Sequence, residues 1–136
     1  MRGLVCLSVA IAVLLSTPAL AAARECPAGS SAEPVQIVSW VASRSGRMVV
    51  GDFVLRNNLQ DSIRMIDASV FFDDALGNHI GGIKFTPDVT LPAMAETPLN
   101  DRSIGFDRVA DARPEDVAVI FCTKSVIFQD GSTQTF

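Results

Sequence analysis

From Val35 to the C-terminus, β-branched and aromatic residues fall in short runs separated by Gly, Asp, Asn and Pro, and this spacing constrains the fold most. Short apolar runs bounded by turn formers read as strands. No stretch carries the amphipathic periodicity of a long helix, and no repeat or low-complexity tract occurs. The first run, Val35 to Val41, ends in a polar stretch around Gly46. The second, Met48 to Asn57, places Val49, Gly51, Phe53 and Leu55 on one face, as expected of a half-buried strand, before a polar turn at Asn57-Asn58. The third, Ile63 to Phe72, lines Ile66, Ala68, Val70 and Phe72 on one face. Asp73 to Asn78 then forms a turn whose Gly and Asn tolerate left-handed backbone, with a return strand through His79 to Phe85. Gly81-Gly82 marks that return strand as an edge or a bulge.

Pro87, Pro92 and Pro98 cannot donate ladder hydrogen bonds, so residues 86–100 read as a long crossover with at most a short strand. Arg102 to Asp107 is a further short strand, and Ala110 to Asp116 has room for one helical turn. Val117 to Phe128 is the strongest strand signal, interrupted only by Thr123-Lys124-Ser125, and Asp130-Gly131 signals a hairpin into Thr133–Phe136. About seven short strands without a long helix predict an all-β, two-sheet antiparallel β-sandwich, immunoglobulin-like, with a closed barrel as the alternative.

The N-terminus directs where this domain works. Arg2, an uncharged run from Gly3 to Leu15, the breaker Ser16-Thr17-Pro18 and the small residues Ala19 to Ala23 follow the pattern of a secretory signal peptide. Its apolar run is roughly a dozen residues against the roughly 20 a membrane span needs, so no permanent membrane anchor is expected. Cleavage fits before Arg24 or before Ala22, and Ala23-Arg24-Glu25 ahead of Cys26 is not a lipidation box. The chain therefore divides into a signal peptide over 1–23, an irregular N-terminal arm over 24–34 and a sandwich domain over 35–136. Roughly 110 mature residues suffice for one domain with a real core.

Of the three cysteines, Cys6 leaves with the signal peptide. Cys26 and Cys122 remain as an even pair in an oxidising compartment, periplasmic or secreted, which reads as one disulfide; two separate buried thiols are the alternative. Cys26 precedes the first strand, so the Cys-Trp-Cys arrangement of antibody domains is absent, and the bridge ties the arm to the strand bearing Cys122. The whole chain carries a net charge of −4, and losing Arg2 makes the mature part more acidic. Repulsion from phosphates then disfavours nucleic acid as a partner.

The segments Val50-Gly51-Asp52-Phe53-Val54-Leu55-Arg56-Asn57-Asn58 and Phe71-Phe72-Asp73-Asp74-Ala75-Leu76-Gly77-Asn78, followed by a Pro-containing loop, resemble the FxLYD-type immunoglobulin-like domains of secreted bacterial proteins. The resemblance spans about residues 48 to 128, with Phe72 where the family has Tyr. It implies a β-sandwich outside the cytoplasm and brings no catalytic residues.

The chemistry-bearing residues are few. His79, the sole histidine, lacks a Gly-x-Ser-x-Gly elbow to work with and reads as a strand-start residue. Asp73, Asp74 and Asn78 fall short of the six to eight oxygens Ca²⁺ takes, and a turn explains them. Met48, Met65 and Met94 lack the close Met-x-Met or His-x-Met pairing of a copper site. Asp107, Asp111, Glu115 and Asp116, with Arg108 and Arg113 among them, read as a solvated loop rather than as glycosidase carboxylates. Trp40 reads as an inter-sheet residue. The sequence thus points to a non-enzymatic secreted or periplasmic module without cofactor, catalytic or metal residues, binding an unknown protein or cell-envelope component. A small periplasmic hydrolase or metal-dependent enzyme is the alternative, and a metal carrier the third reading.

Overall fold

The computed structural model describes residues 24–136; the signal-peptide expectation lies outside the described residues. Seven strands follow in order: β1 Val35–Ser45, β2 Met48–Asn57, β3 Ile63–Asp74, β4 His79–Lys84, β5 Glu96–Ser103, β6 Val117–Phe128 and β7 Thr133–Thr135. A short helix α1, Asp107–Asp111, and a 3₁₀ turn, Pro114–Asp116, precede β6. The strands form a three-stranded sheet ordered β1-β2-β5 and a four-stranded sheet ordered β4-β3-β6-β7. All pairings are antiparallel, and the architecture is the two-sheet sandwich expected from the run spacing.

The alternation read from the sequence sets which faces meet. Val49, Phe53 and Leu55 of β2 face Ile66, Ala68, Val70 and Phe72 of β3 across one continuous apolar core. Aromatic edges cross that core: Trp40 meets Phe72 at 6.0 Å between ring centroids, and Phe85 bridges Phe53 at 6.4 Å and Phe121 at 5.1 Å. Such edge-to-face contacts place positive ring edges against negative faces. Trp40 therefore works between the sheets.

Bulges keep long strands in register with the core. Lys124 is the extra residue of β6 opposite Asp67 and Ala68, so Phe121 and Val126 both point inward although an odd number of steps separates them. The polar Thr123-Lys124-Ser125 interruption is that bulge. In β4 the adjacent glycines each admit an aromatic ring, since a Cβ on Gly81 would lie 2.3 Å from Phe106 and one on Gly82 would lie 2.7 Å from Phe71. β4 is an edge strand with a register shift, as its glycines suggested.

Three local expectations are corrected. β1 extends to Ser45 instead of ending at Val41, because pairing with β2 continues to Met48. The fifth strand spans Glu96–Ser103, not Arg102–Asp107; Pro98 is tolerated because β5 is an edge strand, where a missing N–H faces no neighbour. The single helical turn at Ala110–Asp116 is instead the pair α1 and Pro114–Asp116, with Val109 buried beneath.

Asn57 organises the end of β2. Fully buried, it donates through Nδ2 to the carbonyls of Asp61 and Leu91, each at 3.1 Å, and of Pro92 at 3.3 Å, while Oδ1 accepts the Leu59 N–H at 2.9 Å. The proline-containing crossover runs beside β3, with Ile63 and Leu91 exchanging two backbone hydrogen bonds of 2.9 Å.

Candidate functional site

Charged and aromatic side chains converge where β3 turns into β4. The turn is built by Asp74, whose Oδ1 accepts the N–H groups of Leu76 at 3.0 Å and Asn78 at 2.8 Å, closing the chain on itself. Its Oδ2 accepts from Asn78 Nδ2 at 3.3 Å and from Arg108 Nη2 at 2.5 Å. The Asn78 backbone bond, with these further donors, holds the Asp74 carboxyl below the ordinary carboxylate range.

Asp73 points to the opposite face of β3 and is also buried. Arg24 of the N-terminal arm donates from Nε to Asp73 Oδ2 at 2.7 Å, and its guanidinium lies 5.7 Å from the centre of the Phe71 ring. The Arg24 hydrogen bond, aided by His79, lowers the Asp73 pKa despite burial. An ionised carboxylate only accepts, so His79 Nδ1, 3.0 Å from Asp73 Oδ1, is the donor nitrogen. The geometry is that of the acid–histidine half of a catalytic triad. No serine or cysteine is hydrogen-bonded to the ring among the described residues.

His79 sits at the start of β4, where the sequence placed it. Its carboxylate partner was not anticipated, because only the β3–β4 register sets Asp73 opposite His79. Asp73, Asp74 and Asn78 are brought together, yet every oxygen of the two acids faces a donor from the protein. Among the described residues no group of three or more His, Cys, Asp or Glu side chains is arranged to hold a metal ion. Met48 begins β2, Met65 lies in β3 of the other sheet, and Met94 lies in the crossover near Gln60.

The acidic stretch is ion-paired. Arg44 bridges Asp107 at 2.8 Å and Asp111 at 2.7 Å, fastening α1 to β1, and Arg113 holds Asp116 at 2.9 Å. A dent of about 380 Å³ is lined by Asp74, Leu76, Ile80, Arg108 and Asp116, with both carboxylates held by arginines. A second hollow, of about 250 Å³, lies beneath the arm and is floored by Asp67, Ser69, Phe71, Lys84 and Lys124.

Cys26 and Cys122 form the expected disulfide, with Cα atoms 5.6 Å apart. Cys122 faces outward from β6 and is covered by the arm; Ser31 adds two backbone hydrogen bonds of 2.8 Å to Thr123 beside it. Among the described residues no helix is long and apolar enough to cross a membrane. Fold and site together define a disulfide-pinned all-β module whose polar cluster is internally satisfied. No protein-family model, curated protein or solved structure matches the chain.

Proposed function

We propose that the mature chain is a non-enzymatic β-sandwich module of the periplasm or the cell exterior that binds a protein partner, or a protein of the cell envelope, through strand addition at β1. The observation that carries this reading is the contrast between sheet edges. Edges are usually guarded by charge, proline, bulges or shortness. β5 has Pro98, Asp101 and Arg102, β4 has two glycines and Lys84, and β7 is three residues long. β1 runs for 11 residues with no proline and no charge before Arg44; its one irregularity is a bulge at Val38, after which Ser39–Ser45 pair in unbroken register with β2, and Val38 is exposed at 50% and Val41 at 58%. An extended segment can pair with such an edge through its backbone and seat alternate side chains on the exposed valines.

The Cys26–Cys122 bridge fits an oxidising compartment, and the leader pattern and the FxLYD-type resemblance support the same placement. The hydrolase alternative rests on the His79–Asp73 pair alone. A photoreactive residue at Val41 should yield one discrete adduct in the native envelope, lost in Val38→Lys, while His79→Ala leaves that adduct intact. Equal labelling from a control position on β5, or an adduct indifferent to Val38→Lys, would refute the β1 assignment. Loss of the biological phenotype in a stably folded His79→Ala chain would favour the hydrolase.

A further inference from the structure

We propose that the Cys26–Cys122 bridge is a latch: its reduction by a dithiol donor releases residues 24–31 from the outer face of β3 and β6 while the sandwich stays folded. The arm touches the body at few points. Arg24 sits on Asp73 and Phe71, Cys26 is bonded to Cys122, and Ser31 pairs with Thr123. Between them, Pro27 to Ser30 arch over the hollow of about 250 Å³. The base of the arm is held separately, since Asn58 donates to the carbonyls of Glu33 at 3.1 Å and Pro34 at 2.9 Å. The buried apolar cluster begins only at Val35, so none of it leaves with the arm.

Access to the two sulfurs is unequal. Cys26 is half-buried and Cys122 is 2% exposed, so an incoming thiolate attacks Cys26 Sγ. The S–S bond breaks, and Cys122 departs as a thiolate and takes a proton. The donor's second thiol then attacks the mixed disulfide, freeing Cys26 as a thiol and leaving the donor oxidised. Without the covalent tie, the arm is held by one partly exposed ion pair with its ring contact and one backbone pair, both weak anchors in water. Its departure uncovers Phe71 and frees the N–H and C=O of Thr123 next to the three-residue ladder of β7, lengthening the open edge of β6.

The test compares NMR spectra and amide exchange of the exported chain before and after excess dithiothreitol. Reduction should accelerate exchange at Ser31 and Thr123 by at least about tenfold and shift Phe71, with the Trp40 indole and the Ile66 and Val70 methyl signals unmoved. Unchanged protection at Ser31 and Thr123 would overturn the proposal, as would collapse of signal dispersion over all strands. Cys26→Ser combined with Cys122→Ala should reproduce the reduced spectrum, and failure of that chain to fold would count against a latch. Asp73→Asn in the oxidised chain should keep Ser31 and Thr123 protected; loss of their protection would identify the ion pair, not the bridge, as the fastening.

Discussion

At the scale of single residues, burial separates polar groups that shape the fold from those that merely decorate it. Asn57→Ala removes the Nδ2 bonds to three carbonyls and the bond accepted from Leu59 at a residue with no access to water, leaving the Leu59 N–H without its partner while the Leu91 carbonyl keeps the Ile63 N–H. Truncation should cost about 2–3 kcal/mol, measured by denaturant titration, because buried partners left unpaired retain their desolvation penalty. Acid sensitivity follows from Asp73, Asp74 and Asp130, the last held down by hydrogen bonds from Ser132. Each folded pKa lies below the ordinary value of 3.8, so the native state binds these protons less readily than the unfolded chain. Their contribution is fully present above that value and is lost as pH falls toward the lower folded values. Asp73→Asn should therefore flatten stability against pH below about pH 4, and an unchanged slope would show that Asp73 is not part of the acid response. Of this cluster the sequence disclosed the turn, through Asp-Asp and Gly-Asn. It could not disclose the Arg24–Asp73 contact, which joins residues 49 positions apart.

At the scale of elements, strand identity was legible wherever alternation was clean, as in β2, β3 and β6. It failed where a neighbour decided the outcome. β5, with its proline and charges, is a strand because β2 offers a ladder over Val50–Arg56; its own residues give a weak β signal. β4 is similar: Gly81 and Gly82 weaken the strand in isolation but admit Phe106 on one face and Phe71 on the other. Gly81→Ala should destabilise by about 1–3 kcal/mol through crowding of Phe106. Phe106→Leu in the same chain should recover part of that loss in a double-mutant cycle, and strict additivity would mean the two positions do not share the space.

For the whole molecule, core aromatics and the disulfide set stability in different ways. Phe72→Ala should cost about 3–5 kcal/mol by opening a cavity, and should red-shift the emission of Trp40, the only tryptophan, whose ring meets Phe72 edge-on. Opening the Cys26–Cys122 bridge acts on the unfolded chain. The bridge spans a sequence separation of 96, and cross-links of that reach typically contribute about 2–4 kcal/mol. Against a typical domain stability of about 5–15 kcal/mol, the reduced chain should unfold at lower denaturant yet remain folded in buffer.

The sequence by itself determined an all-β fold, the inward faces of β2 and β3 and a candidate cysteine pair, because alternation and turn chemistry are local properties and the described residues hold only Cys26 and Cys122. Only the tertiary structure decided that the strands close as a two-sheet sandwich, which acid faces His79, which strands lie at the sheet edges, where Arg24 docks and that two glycines seat two aromatic rings. Those outcomes depend on register and on contacts between residues far apart in the chain, and a strand's own residues carry no record of the strand that lies beside it.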